Sequence, residues 1–420
     1  MSAGPDIVLP GDKSLTHRAL VLAALANGES VLHHPLTSLD TRSMAAALRK
    51  LGVSVSPLRG TVRVTGRGLR SFSQPTESIH CGNSGTVARF LLGLLAASPL
   101  VVRVTGDRSL RRRPMRRVTE PLSRMGASFT ELAGDGLPVE VRGGPVRSMD
   151  YTSKTASAQV KSAILFAGLV GGVEVSVTEP VRSRDHTERM LQALGVAVET
   201  ENTTVRLRPV SALPRFTGRI PGDPSAAAFL IIAALLTGRP AFTLRDMAVN
   251  PTRIGFVNVL RRMGADITIR EISEFLGEPV GEVVVRASEL SGAEVAPDEV
   301  PSLIDEIPIL AALASTCSGT TAFRGVSELR VKESDRLALL AANLRAVGAD
   351  CRVSGDVLEV EGMSRPPHGK IETGGDHRMA MAFAALGRTP GASIELSERL
   401  SPQVSYPDFF QDLDRVTAGG

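Results

Sequence analysis

The stretch Arg330-Val331-Lys332-Glu333-Ser334-Asp335-Arg336 sets cations beside a carboxylate just before the apolar run Leu337 to Ala342. Read as the first turn of a helix, it puts Lys332 four residues and Glu333 three residues before Arg336, so the three side chains share one side. A helix start already favours anions, because its first backbone N–H groups lack internal partners and its dipole is positive there. Added Lys and Arg make a phosphate or carboxylate site. Glu333 is then an ion-pair partner unless it has proton-transfer work to do. Taken alone, the turn reads first as a solvated salt-bridge face.

Other helix starts carry the same chemistry. Pro10-Gly11-Asp12-Lys13-Ser14 leads an Ala/Leu-rich helix bearing His17 and Arg18. Cys81-Gly82-Asn83-Ser84-Gly85-Thr86-Val87-Ala88-Arg89 is a glycine-rich turn feeding an apolar helix, a form that lets backbone N–H groups approach an anion. It matches neither the Walker A spacing nor the dinucleotide fingerprint, and a simple tight turn is its plain alternative. Six arginines lie within Arg108–Arg117; such density repels itself unless an anion is near, and a solvated basic loop is the other reading. Ser157-Ala158-Gln159-Val160-Lys161, Arg184-Asp185-His186-Thr187-Glu188-Arg189, Ile304-Asp305-Glu306 and Asp376-His377-Arg378 each open a helix. Each reads alone as a capped turn, Asp305 included. Together they point to a concave site for two small acidic substrates.

The elements that must position these groups repeat. An apolar-Gly-apolar helix stop followed by a strand-like run recurs at Gly52, Gly126, Gly195, Gly264 and Gly348, spaced 74, 69, 69 and 84 residues apart. The repeating unit reads as βαβαββ: Ser30–His33, helix Thr41–Leu51, strands at Val53–Val55 and Val62–Val64, then helix Thr86–Ala97. A coarser symmetry pairs Pro10-Gly11-Asp12-Lys13-Ser14 with Pro221-Gly222-Asp223-Pro224-Ser225, which leads Ala226 to Leu236. Asp12 and Asp223 suit N-caps. The second turn has Pro224 for Lys13 and Ala228 and Phe229 for His17 and Arg18, so only the first binds an anion with side chains.

At 420 residues the chain exceeds one ordinary core, and two domains are expected. With 43% apolar and 22% charged residues it is globular. A net charge of +4, 4% aromatics and no Trp leave little for stacking nucleic-acid bases. Cys81, Cys317 and Cys351 fit no metal-ligand spacing and no disulfide framework, which suits a reducing compartment. No run reaches membrane-spanning length and a motif begins almost at once, leaving no room for a transit peptide, so a cytoplasmic protein is expected.

The set Pro10-Gly11-Asp12-Lys13-Ser14, Gly82-Asn83-Ser84-Gly85-Thr86, Arg113-Pro114, Ser157-Ala158-Gln159, Arg330 to Arg336, Asp376-His377-Arg378 and Ser405-Tyr406-Pro407-Asp408 resembles the 5-enolpyruvylshikimate-3-phosphate (EPSP) synthase family. The resemblance runs in order along nearly the whole chain. It implies an α/β fold of two similar domains, each of three βαβαββ units (an inside-out α/β barrel), joined by two crossovers. Residues 1–10 with 223–420 would form one domain and 11–222 the other, hinged near 9–12 and 220–223. The sixth unit would fall at the C-terminal end, whose helix Pro407–Val416 has no following strand.

The resemblance also implies transfer of the enolpyruvyl group of phosphoenolpyruvate to the 5-hydroxyl of shikimate 3-phosphate, through a tetrahedral intermediate and without metal or organic cofactor. By resemblance, Lys13, Ser14, Arg18, Ser157, Ala158, Gln159, Arg184, Asp305 and Lys332 hold shikimate 3-phosphate. Lys13, Gly85, Arg113, Gln159, Arg336 and Arg378 hold phosphoenolpyruvate. Asp305 and Glu333 share the proton transfers with Lys13 as electrostatic partner, which gives Glu333 its task among cations. The implied partners are these two small molecules, with no nucleic acid, no membrane and a monomeric state.

The chain departs from the pattern at Val404, where many members have Lys, and at Ala158, where many have a second Ser. Arg184 to Glu188 and Asn250-Pro251-Thr252-Arg253 are more similar to the class II subgroup, often less sensitive to glyphosate. Gly85 keeps the glycine whose replacement by Ala commonly confers tolerance, so intermediate sensitivity is expected. The nearest alternative is the sister enzyme acting on UDP-N-acetylglucosamine, which usually carries a Cys in the loop before Arg-Pro; Gly106–Arg113 has none. A polyanion-binding module built on the arginine loop is the remote one.

Overall fold

The computed structural model describes residues 7 to 418, an α/β chain that divides into two compact units. One comprises Gly11–Ile220 with Glu274–Glu278; the other takes the segment ending at Pro10, Pro221–Ser273 and the chain from Pro279 onward.

The first-half unit carries α1 (Lys13–Leu25), α2 (Leu39–Lys50), α3 (Gly85–Ala96), α4 (Arg116–Met125), α5 (Ala158–Gly171) and α6 (His186–Ala193). Its three sheets share one plan: a strand paired in parallel, then an antiparallel pair. Ile79–His80 lies parallel to Val101–Thr105, which pairs antiparallel with Val139–Arg142 and that with Ser128–Glu131. Met149–Thr152, Val175–Thr178, Thr204–Leu207 and Val198–Glu201 follow the same order. In the third sheet the parallel partners of Ala26–His33 are Leu213–Pro214 and Thr217–Arg219, from the far end of this half of the chain.

Helices and strands form where the apolar period demands. Thr61–Arg67 alternates exposed and buried residues, the period of a strand with one buried face. The helices fall into two kinds. α1, α3 and α5 are buried nearly all round, as helices apolar on every side must be. α2, α4 and α6 bury one side, for example Val118, Leu122 and Met125 of α4. The inner helices approach closely at Gly93, where an added Cβ would lie 2.3 Å from the Ala163 carbonyl oxygen of α5. Phe90 and Phe166 meet edge to face at 5.1 Å in the same layer.

The second-half unit carries α7 (Pro224–Leu236), α8 (Gly255–Arg262), α9 (Val300–Leu303), α10 (Ile307–Ala314), α11 (Arg336–Ala346), α12 (His377–Leu386) and α13 (Phe409–Thr417). Here α7, α10 and α12 are the buried helices. Glu294–Val295, Thr320–Phe323, Val357–Glu361 and Cys351–Ser354 repeat the parallel-then-antiparallel order. In the sheet of Ala241–Ala248, Glu278–Arg286 and Asp266–Phe275 the parallel partner shrinks to one bridge, Gly222 to Met247. The last sheet holds only the parallel pair His368–Ile371 and Ser393–Leu396, with no strand after α13 among the described residues.

The five glycines that close helices stand at positive φ: +87° at Gly52, +124° at Gly126, +82° at Gly195, +107° at Gly264 and +96° at Gly348. A Cβ is strained there, so the turn selects glycine. Asp12 and Asp223 cap α1 and α7, accepting from Leu15 N and Ser225 N at 2.7 Å each.

Two local expectations need correction. Lys332 and Glu333 are not in a first helical turn: Ser327–Val331 is a 3-10 turn, Lys332 is extended, and α11 starts at Arg336. Asp335 causes this, because its carboxylate caps the helix by accepting from Ala338 N at 3.0 Å. Nor is Asp305 a cap. Glu306 holds the N-cap position of α10 without a side-chain capping bond.

Candidate functional site

In the first-half unit, Lys13 and Ser14 open α1 half-buried, and the Lys13 ammonium lies 3.2 Å from Asp40. One turn on, His17 is fully buried; burial first, then Lys13 and Arg18, pull its pKa down to about 3, so it is neutral. Arg18 is also buried. Its guanidinium donates to Thr187 Oγ1 at 2.7 Å, Ser162 Oγ at 3.1 Å and the Ser14 carbonyl at 3.1 Å, and stands 5.0 Å over the Phe90 ring. Burial pulls it down to about 10, against Glu188, Glu278 and Asp12. Arg18 thus ties α1 to α5 and α6.

A second group forms where the glycine-rich turn meets the arginine loop. Of the six clustered arginines only Arg113 is buried, donating to Asn83 Oδ1 at 2.5 Å; Arg108, Arg111, Arg112 and Arg116 are exposed. Asn83 in turn donates to Asp107 at 2.6 Å. Gly85 is the first residue of α3 and has room for no more: an added Cβ would lie 2.9 Å from Arg89 Nη1 and 3.4 Å from Arg113 Nη1. Arg89 donates to Gln159 Oε1 and to the Pro114 carbonyl, while Gln159 donates to Thr86 Oγ1 at 2.9 Å. Gly85, Arg113 and Gln159 therefore share one surface with Arg89 between them. Arg89's part escaped sequence reading, although its place one turn after Gly85 puts both on one face of α3.

Ser157 caps α5, ahead of Ala158, and its own N–H donates to Glu179 at 2.8 Å. Glu179 also accepts from the Ser183 hydroxyl and backbone, so one carboxylate fixes both the start of α5 and the loop carrying Arg184. Lys161, 1% exposed, lies 2.8 Å from both Glu179 and Glu188. Burial works to lower its pKa, but the two glutamates win and raise it. A Lys161→Met change leaves both carboxylates buried without their cation. It is expected to cost about 3–5 kcal/mol of folding stability, read as a lower urea midpoint.

In the second-half unit, Arg336 is the hub. It is 1% exposed and donates to Asp376 at 2.8 and 3.3 Å, with Glu333 at 2.5 Å and Asp305 at 3.4 Å. Burial works to lower its pKa; Asp376, Glu333 and Asp305 together raise it. For Asp376, burial acts to raise the pKa and Arg336 outweighs it, so the carboxylate stays ionised. Asp305 is shared: Lys332 stands 3.6 Å away, and Arg378 donates to its carbonyl at 2.8 Å and reaches its carboxylate at 3.9 Å. Lys332, Glu333, Arg336, Arg378 and Asp305 form one cluster of cations around two half-buried carboxylates. Such a cluster can hold an anion and move a proton. Of Ser405-Tyr406-Pro407-Asp408, Tyr406 is core: it is buried and donates to Asp412 at 2.8 Å.

The fold and these clusters define a class: an enolpyruvyl transferase. The structure is similar to EPSP synthase from Acinetobacter baumannii, with a TM-score of 0.86 at 36% identity over 99% of this chain and 96% of that one. The enolpyruvyl transferase NikO from Streptomyces tendae shares the fold, at 17% identity and a TM-score of 0.75, covering 99% and 95% of the two chains. The family of EPSP synthase (3-phosphoshikimate 1-carboxyvinyltransferase) matches residues 5–413. Curated 3-phosphoshikimate 1-carboxyvinyltransferases are similar throughout. One from Thermus thermophilus is 46% identical and that of Gloeobacter violaceus 45%, each covering 98% of this chain and 96% of the relative. The chain belongs to the EPSP synthase family. Its activity is transfer of the enolpyruvyl group of phosphoenolpyruvate to the 5-hydroxyl of shikimate 3-phosphate.

Proposed function

We propose that the clusters of the two units serve one transfer. Lys13, Ser14, Arg18, Ser157, Ala158, Gln159, Arg184, Asp305 and Lys332 hold shikimate 3-phosphate; Lys13, Gly85, Arg113, Gln159, Arg336 and Arg378 hold phosphoenolpyruvate. The two units, hinged near residues 9–12 and 220–223, act as domains that close over both. The sugar 5-hydroxyl gives up its proton as its oxygen attacks C2 of phosphoenolpyruvate, whose C3 takes a proton. Loss of a C3 proton then expels phosphate and restores the enol double bond. Asp305 and Glu333 relay these protons, and Lys13 offsets charge that develops on the phosphate.

The observation that carries this reading is the gathering of Lys332, Arg336 and Arg378 on Asp305, with Glu333 paired to Arg336. All three cysteines are buried, and burial raises their thiols, that of Cys317 to about 12. That argues against a thiolate route and against the UDP-N-acetylglucosamine reading. The test is phosphate release from phosphoenolpyruvate with each acceptor: shikimate 3-phosphate should support turnover and UDP-N-acetylglucosamine should not. The reverse pattern refutes the assignment.

Gly85→Ala would push a methyl against Arg89 and Arg113. We expect a KM for phosphoenolpyruvate raised about tenfold or more with a much smaller change for shikimate 3-phosphate, measured by steady-state kinetics. The three cysteines are free, which supports a reducing, cytoplasmic location; a monomer is proposed and light scattering tests it.

A further inference from the structure

The second Pro-Gly-Asp turn has no part in the transfer described above, yet it is built like the first. Asp223 caps α7 as Asp12 caps α1, and Ser225 stands where Ser14 does. Where the first turn leaves Lys13 and Ser14 half-buried, the second is closed over a carboxylate from its own chain. The Ser225 hydroxyl donates to Glu306 Oε1, and Arg253 Nη1 reaches the same oxygen at 3.1 Å. Arg253 Nη2 donates to Ser225 Oγ and to Asp223 at 3.3 Å. The second guanidinium on this carboxylate is Arg378, with Nη1 at 3.6 Å from Glu306 and Nη2 at 3.4 Å from Ser225 Oγ. Glu306 is 0% exposed, Arg253 2% and Arg378 5%.

We propose that Glu306 is the resident anion of this second turn and the positioning residue for Arg378; the functional part of the claim rests on the assignment of Arg378 to phosphoenolpyruvate. Glu306 stands between two guanidiniums that cannot lose their protons. It offsets their repulsion in a buried site and draws Arg378 toward Ser225, with the Asp305 carbonyl fixing the other side. The Asp305 carboxylate is at present 3.9 Å from Arg378. Without the Glu306 charge that carboxylate is the nearest remaining anion, and Arg378 turns onto it and away from an incoming substrate. A mere packing role would give no such direction.

The test uses Glu306→Gln, which keeps shape and an acceptor for Ser225 but removes the charge. Crystal structures without ligand should show Arg378 moved onto the Asp305 carboxylate. The KM for phosphoenolpyruvate should rise about tenfold, equivalent to about 1.4 kcal/mol, with a several-fold smaller change for shikimate 3-phosphate. Glu306→Asp should recover part of the loss. In an Arg378→Ala background, Glu306→Gln should add nothing to the phosphoenolpyruvate KM. An unmoved Arg378, equal KM changes for both substrates, or a full additional loss in the Arg378→Ala background overturns the proposal. Absence of phosphate release by the unsubstituted protein would instead refute the assigned reaction, and the position of Arg378 in the Glu306→Gln crystals would then decide the positioning role alone.

Discussion

Glu333→Gln is expected to lower kcat by about 10²–10⁴-fold, the range a positioned acid or base supplies, in a protein that folds normally. The amide keeps the size of the carboxylate and can still accept from Arg336, but it cannot relay a proton. Stability should hold because Arg336 retains its two bonds to Asp376 and its ion pair with Asp305. The side chain is also partly open to solvent, at 24% exposure, so its loss leaves no sealed charge. Binding should change much less than turnover, since the cations assigned to the substrates remain. The check is single-turnover kinetics beside thermal denaturation: a near-normal rate removes Glu333 from the proton relay, whereas a collapsed melting temperature makes it structural.

Lys13→Met should cost about 10²–10³-fold in kcat/KM for phosphoenolpyruvate, comparable to removing one donor at a developing oxyanion. Methionine reproduces most of the apolar stem, so the effect isolates the ammonium. Within its unit, the substitution breaks the ion pair to Asp40, whose side chains are 19% and 10% exposed. The pair is largely buried, so losing it should cost more than a surface pair, about 1–3 kcal/mol, still below the stability of an ordinary domain. The fold should therefore survive, and steady-state kinetics with each substrate varied separately should show the loss. A KM change confined to shikimate 3-phosphate would move Lys13 out of the phosphoenolpyruvate site.

Much of this architecture was legible in the sequence because single residues carry local physics. The glycines at the five repeated helix stops demanded positive φ, and Asp12 and Asp223 announced caps; both kinds of signal act within one turn of chain. The inner and outer helices were less legible, since α1 and α5 show no apolar stripe: they are buried on every side, which a pattern of one apolar face does not describe. The spacing of Lys332, Glu333 and Arg336 placed the start of α11 too early. Two N-cap formers, Ser334 and Asp335, stand before Arg336, and the one nearer the apolar run fixed the helix start.

Burial separated Arg113 from its solvated neighbours, which composition alone could not do. The supporting shell was the least visible part. Lys161 with Glu179 and Glu188, and Arg253 with Glu306, are charged residues whose sequence pattern resembles ordinary surface helices. Their partners lie 18 to 53 residues away, so only the fold reveals that they are buried ion pairs. His186 and Glu278, 92 residues apart and fully buried 2.9 Å from each other, are the extreme case.

The proposed function requires that cations from both units grip a single phosphoenolpyruvate. The most direct measurement is a crystal structure with shikimate 3-phosphate and phosphoenolpyruvate bound. The expected result is Lys13 and Arg113 together with Arg336 and Arg378 within hydrogen-bond reach of the one phosphoenolpyruvate, and Glu333 and Asp305 beside its reacting carbons. A phosphoenolpyruvate held by side chains of one unit only, with the other pair of cations facing solvent, would contradict it.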